Sequence, residues 1–232
     1  MTPARVRFLI RLKDLSPTYI PRQWALCQHS QGRKIIYQKI EGSCETIFGD
    51  SVTNIEQSTD RVHVSFRRAA PRDFDIVIGA DGLHCGVRKL IFGQDEGFET
   101  YLGYGVAAFA VNGCRPRDED VYVSYGVPSK QVARFAMRED RMMFLFVFAD
   151  NDGRRIDPQN TNAHKDALRA EFGQVGWECP QILAAMDSCD EVYFDRVSQI
   201  KMEKWSQGRV GLVGDAAFCP SLLAGQGAAL AM

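Results

Sequence analysis

The sequence predicts an α/β protein in which a buried, parallel-type strand layer is interrupted by an inserted antiparallel sheet. Two observations carry this. Apolar strands without polar alternation end in a glycine and aspartate break at both "DIVIGADG" (75–82) and "VGLVGD" (210–215), as expected of strands covered on both faces. Between them, residues 101–149 are β-branched and aromatic runs parted by short polar turns, the pattern of an antiparallel sheet of about four strands.

Taken in order, "TIFGDSVTNIEQ" and "RVHVSF" read as strands joined by the polar turn Ser58-Thr59-Asp60, and "FDIVIGADG" as a third. "CGVRKLIFG" suggests a short helix closed by Gly93. The strands "YLGYGVAAFAV", "DVYVSYGV", "QVARFAM" and "RMMFLFVFA" follow. "NTNAHKDALRAEFG" predicts a helix over 160–173 capped by Asn160 or Thr161, and "PQILAAMDS" a second one opened by Pro180. "EVYFDRVSQIKM" reads as a further strand pair. The end of the chain predicts a buried strand from Val210 to Val213, the Gly214-Asp215 break, a loop containing Pro220, and a glycine-rich entry (Gly225-Gln226-Gly227) into an Ala-rich helix. Ser16 to Gly42 supports helix only weakly.

Composition narrows the function. The net charge of -1 arises from 28 basic and 29 acidic residues without a block of one sign, so no nucleic-acid or anionic-lipid footprint is present. The longest apolar run, Met142 to Ala149, is far shorter than the roughly 20 residues of a membrane span. The N-terminus lacks the apolar core of a signal peptide. These features predict a cytoplasmic protein acting on a small molecule. The seven cysteines show no C-x-x-C pair, which argues against a disulfide framework or a zinc site and for buried free thiols. The histidines at 29, 63, 84 and 164 have no metal-ligand spacing.

The chemistry sits in the two glycine and aspartate breaks. A strand end opening onto a helix N-terminus offers backbone N–H groups, so Asp81-Gly82 reads either as a phosphate site or as a turn capping the next helix. The second break adds Gly225 and Gly227 before a helix, where backbone amides can approach a planar or anionic ligand. Two such elements in one chain favour a ligand.

These residues carry a family resemblance. "DIVIGADGLHCGVR" resembles the second nucleotide-binding fingerprint, and "GRVGLVGDAAFCPSLLAGQGAAL" the third, of the FAD-dependent aromatic hydroxylases, the para-hydroxybenzoate hydroxylase-like monooxygenases. The two occur in the family's order, about 130 residues apart, with an antiparallel sheet between them. "IRLKDL" (10–15) is similar to the family's Arg-x-x-x-Leu. The resemblance implies an FAD-binding, glutathione-reductase-like (incomplete Rossmann-type) domain carrying an inserted antiparallel-sheet substrate domain. The expected boundaries are 1–98 for a partial FAD-binding domain, 99–203 for the substrate domain and 204–232 for the return.

The resemblance further implies a cofactor set of FAD with NADPH or NADH as reductant, O₂ as co-substrate, and hydroxylation of a small aromatic or apolar molecule. Asp81 and Gly82 would lie near the pyrophosphate and the nicotinamide approach, with Arg88 holding the motif together or meeting phosphate. Gly214 and Asp215 would meet the ribityl or ribose hydroxyls. Pro220 and the Gly225, Gln226 and Gly227 amides would lie against the isoalloxazine, and Arg11 would contact the flavin side. The sheet of 101–149 would roof the substrate. Tyr101, Tyr104, Tyr122 and Tyr125 would orient a phenol or serve packing. No residue is assigned as acid or base, because the flavin carries the chemistry.

Departures accompany the matches. The family's first fingerprint, Gly-x-Gly-x-x-Gly, is missing, and "GYGVAA" (103–108) lies in a β-patterned run. The resemblance therefore implies an incomplete chain whose exposed sheet edge favours self-association. Cys85, Phe218 and Ala228 replace the family's usual serine, histidine and asparagine. Trp177, Trp205 and the 144–148 phenylalanines read as core or sheet-packing residues, and Cys85 and Cys219, close to the cofactor loops, as inert buried thiols ahead of reactive ones. Two rivals stand beside the monooxygenase. One is another flavoenzyme on this scaffold, a halogenase or a reductase, of which the halogenase would carry a Trp-x-Trp-x-x-Pro run that is absent. The other is a remnant that binds a ligand or partner without redox activity.

Overall fold

A computed structural model describes residues 8–10, 38, 41, 44–94, 97–113, 122–137, 140–150, 153, 156–157 and 160–224. They fall in two compact units, one within Met1–Ile20, Thr46–Tyr101 and Ser198–Met232, the other within Pro21–Glu45 and Leu102–Val197. Apart from residues 38 and 41, the weak helix signal of 16–42 lies outside the described residues, as does the Ala-rich C-terminal helix.

In the first unit, β2 (Val52–Gln57), β3 (Val62–Phe66) and β4 (Arg72–Phe74) form a three-stranded antiparallel sheet. Ser58 makes the turn between β2 and β3: its N–H donates to the Arg61 carbonyl at 2.8 Å and its hydroxyl accepts the Arg61 N–H at 3.0 Å, a local bond typical of serine in turns.

The apolar run after Arg72 is not one strand. β4 ends at Phe74, and β5 (Ile76–Gly79) enters a different sheet of order β1-β5-β12-β11, with β1 (Phe8–Ile10), β11 (Ser206–Gln207) and β12 (Val210–Leu212). The switch at Asp75 has a distant cause. The Arg209 guanidinium donates to the Asp75 carbonyl at 3.1 Å and to the Thr59 carbonyl at 2.9 and 2.7 Å, tying the hairpin turn to the crossing point.

β5 runs parallel to β1 and to β12, while β11 and β12 form an antiparallel pair. Burial on both faces of β5 is only half realised. Val77 and Gly79 are buried, but Ile76 is 36% exposed. Ile76 and Ile78 line an open depression of about 580 Å³ with Thr59, Ser206 and Arg209. On the buried side, Val62, Val64, Phe74, Val77, Val87, Val210 and Leu212 form the core of this unit.

A five-stranded sheet of order β10-β6-β9-β8-β7 comprises β6 (Glu99–Asn112), β7 (Val123–Val127), β8 (Lys130–Met137), β9 (Arg141–Ala149) and β10 (Tyr193–Ile200); the second unit holds most of it, and residues 99–101 of β6 and 198–200 of β10 belong to the first. "GYGVAA" lies within β6, and Gly105 is required there because a Cβ would come within 2.5 Å of the Phe148 ring. Phe144, Phe146 and Phe148 alternate along β9 toward helices α2 (Thr161–Phe172) and α3 (Cys179–Met186), where they pack with Leu168, Phe172, Ile182 and Met186. Asn160 caps α2 by accepting the Ala163 N–H at 3.0 Å, and Pro180 stands in the first turn of α3.

Two expectations change. "EVYFDRVSQIKM" supplies one strand, β10, instead of a pair. Nothing in it breaks the extended backbone, and Tyr193 and Asp195, on the same face at i and i+2, bond each other at 3.0 Å. Trp205 is not a core residue: it is 51% exposed and stacks on Phe218 at 6.4 Å. Its carbonyl accepts the Leu212 N–H at 2.8 Å, which holds it on the backbone edge of β12 and leaves its ring outside. Trp177 is half-buried and stacks on Tyr125 at 5.6 Å.

Candidate functional site

The two glycine and aspartate breaks leave the same end of two neighbouring inner strands of one sheet. Leu212 pairs with Gly79 across β12 and β5, and the Val213 N–H donates to the Gly79 carbonyl at 3.0 Å. The loops therefore start side by side. Gly79 permits this closeness: a Cβ there would meet Leu212 Cδ2 at 2.7 Å and Val87 Cβ at 2.9 Å.

In the first loop Asp81 turns inward, 7% exposed, and its Oδ2 accepts the Gly86 N–H at 2.7 Å at the start of α1 (Gly86–Ile91). Cys85 is the N-cap of α1, its sulfur accepting the Arg88 N–H at 3.2 Å. Arg88 is entirely buried, and its guanidinium donates to the Leu83 carbonyl at 2.6 Å and to the Ala216 carbonyl at 3.0 Å.

The second loop is a short 3-10 turn, Gly214–Ala216, with Gly214 at φ 58 and no side chain capping its start. Asp215 is half-buried within it. The loop is then pinned further on. Cys219 exchanges two backbone bonds with Ile200, at 2.9 and 3.2 Å, and the Pro220 carbonyl accepts from Gln199 Nε2 at 2.7 Å. Ser221 follows at φ 119, 5% exposed, its hydroxyl accepting the Leu223 N–H at 3.1 Å. A buried non-glycine residue in that region stores strain of about 1–3 kcal/mol, which only an over-determined surrounding sustains.

Each loop pairs its aspartate with a cysteine four positions on. Burial, then the Asp81 charge, pushes the Cys85 thiol up to about 12; burial, then the Asp215 charge, pushes Cys219 up to about 11. Burial also holds the Asp215 carboxyl above its ordinary value, against the bond from Cys219. Both thiols stay protonated at neutral pH and are poor nucleophiles. Brief iodoacetamide treatment of the folded chain at neutral pH should therefore label the exposed Cys44 and spare Cys85 and Cys219, as peptide mass spectrometry would read. Substantial labelling of Cys85 would contradict this geometry.

Thus the structure brings the loops of Asp81, Gly82 and Arg88 and of Gly214 and Asp215 together at the ends of two paired strands, holds Pro220 further along the second loop against Gln199, and leaves Arg11, Gly225, Gln226 and Gly227 outside the described residues. Sequence reasoning missed Gln199 and Ser221. A glutamine within a strand and a serine after a proline carry no local mark of their role. Among the described residues no group of three His, Cys, Asp or Glu side chains is placed to hold a metal ion, and no helix is long and apolar enough to cross a membrane.

A half-buried carboxylate beside an uncapped turn supplies the acceptor and the N–H donors that the hydroxylated, anionic chain of a dinucleotide needs. FAD fits this donor set. Comparison with known proteins agrees. The FAD binding domain family matches residues 10–232. The uncharacterized protein Rv1260 of Mycobacterium tuberculosis is 39% identical over 199 residues, covering 86% of this chain and 53% of that protein. A flavin-dependent monooxygenase of Legionella longbeachae is 34% identical over 195 residues, covering 79% of this chain and 47% of that protein. The crystal structure of the tetracycline destructase Tet(55) superposes with a TM-score of 0.71 at 28% identity, covering 85% of this chain and 52% of that one. The chain spans about half the length of the curated relatives it matches. With the fingerprint strands adjacent and their loops pinned together, the chain belongs to the FAD-binding-domain family, with flavin-dependent monooxygenases among its relatives.

Proposed function

We propose that this chain provides the second and third fingerprint loops and the substrate-facing sheet of a cytoplasmic flavin-dependent monooxygenase acting on a small aromatic or apolar molecule. One observation carries the reading: the Asp81 and Asp215 loops, far apart in sequence, leave paired strand ends and are tied by a buried arginine. Bound FAD, reduced by NADPH or NADH, would supply the oxygen-transfer chemistry.

The chain's own residues bind and orient. Asp215 would accept from the ribityl or ribose hydroxyls of bound FAD, with Gly214 letting the cofactor chain approach. On the family pattern, Pro220 and the Gly225, Gln226 and Gly227 amides would serve the ring, Arg11 the flavin side, and Asp81 with Gly82 the pyrophosphate end and the nicotinamide approach. In this reading the sheet of 101–149 would roof the substrate, a flat apolar molecule packing against it by burial. The domain assignment 1–98, 99–203 and 204–232 is part of the same reading.

Asp215→Ala should weaken FAD binding by about 10- to 100-fold, the loss of a hydrogen bond to a charged group, in a titration read by flavin fluorescence. Because burial holds the Asp215 carboxyl high, wild-type affinity should fall as pH drops through that raised value, and Asp215→Asn should abolish this dependence. Oxidation of NADPH or NADH by the flavin-loaded protein, with matching O₂ uptake stimulated by an apolar aromatic compound, tests the activity. Loaded protein that consumes neither reductant would defeat the monooxygenase reading.

A further inference from the structure

We infer that Arg88 is a positioning residue for the proposed flavin site, acting on Asp215 through the Ala216 carbonyl and not by contact with the cofactor. The inference rests on the reading of Asp215 given above. Arg88 is 0% exposed, so its guanidinium is withdrawn from any ligand at the loop surface. Its two terminal nitrogens diverge: one holds the Leu83 carbonyl in the first loop at 2.6 Å, the other the Ala216 carbonyl at 3.0 Å, 128 positions away.

Ala216 follows Asp215 in a turn that has no side-chain cap, and the bond from Arg88 fixes the Ala216–Ala217 peptide, one residue beyond Asp215. The near side is fixed by the Val213 N–H on the Gly79 carbonyl. Asp215 is thus held between two attachments to the first loop and its strand. The arginine is aimed in turn by its own helix, whose first turn is held by Asp81 on the Gly86 N–H and by Cys85 on the Arg88 N–H. A planar fork serves two carbonyls at once, which a lysine ammonium on a single flexible stem does not reproduce.

Two measurements on Arg88→Lys test this. Without flavin, amide exchange at Ala217 and Phe218, whose N–H groups bond the Gly214 carbonyl at 2.9 Å, should accelerate by about tenfold or more, while β9 keeps its protection. Unchanged exchange at these amides overturns the clamp. Loss of protection in β9 as well, in both Arg88→Lys and Arg88→Gln, also overturns it by making Arg88 a general core residue. With flavin, Arg88→Lys should weaken FAD binding by about tenfold in the wild-type background, and have little effect on top of Asp215→Ala, because both act through one group. Effects that multiply independently would overturn the route through Asp215. Failure of the wild-type chain to bind FAD would instead defeat the flavin-site reading, and the positioning role with it, leaving the exchange result to judge the clamp alone.

Discussion

Replacing Phe146 by alanine should remove about 3–5 kcal/mol from the second unit, the cost of truncating a fully buried aromatic side chain and leaving its cavity. Phe146 is 0% exposed, stacks on Phe109 at 5.8 Å and meets Phe172 edge-on at 4.8 Å. These neighbours come from β6 and α2, so relaxation into the cavity would have to move a strand and a helix together. That loss is a large share of the about 5–15 kcal/mol by which domains of this kind are stable. Urea unfolding followed by near-ultraviolet circular dichroism would read it as a lower midpoint. Phe135→Ala is the control. Phe135 is half-buried and stacks on the exposed Tyr122 at 6.0 Å, so its loss should cost much less. Equal losses would contradict the packing described.

Gly79→Ala should destabilise the first unit by about 1–3 kcal/mol, the usual cost of forcing an extra carbon into a filled core. The added methyl would lie 2.7 Å from Leu212 Cδ2 and 2.9 Å from Val87 Cβ. Leu212 can swing its terminal methyl aside. Val87 cannot, because its Cβ is fixed to the backbone of α1, so the helix must shift. The same shift would move Arg88, one residue on, and loosen the loop holding Asp215, so flavin affinity should fall along with the melting temperature. Gly97→Ala, where no atom lies within 4 Å of the added carbon, should leave both unchanged. Asp215→Asn should move them apart. Because burial raises the Asp215 carboxyl in the folded chain, its contribution to stability declines as pH rises through that value. Above that pH the asparagine variant should melt no lower than wild type while binding flavin less well.

Much of the site was legible because its signals are local. Glycines at strand ends, an aspartate beside them and the capping residue of α2 act within a few positions, and each is found where the residue types place it. What escaped depends on residues far apart. The break of "FDIVIG" into two strands of two sheets comes at Asp75, whose carbonyl accepts from Arg209, 134 positions away. The strain at Ser221 and the hold of Gln199 on Pro220 follow from β10 running beside the loop. Trp205 reads as core by hydrophobicity alone, and only its place at the end of a backbone ladder keeps its ring outside. Arg88 allowed two roles in sequence, and its burial and two carbonyl acceptors, 128 positions apart in one case, are what support the inference that it positions the loops.

Titration of the purified chain with FAD, read by quenching of flavin fluorescence and repeated with Asp215→Ala, decides whether the paired loops form a flavin site. Saturable binding of FAD by the wild-type chain is expected, with an affinity about 10- to 100-fold weaker in the variant. Binding unaffected by loss of the Asp215 carboxylate, or no quenching by the wild-type chain at any FAD concentration tried, would contradict it.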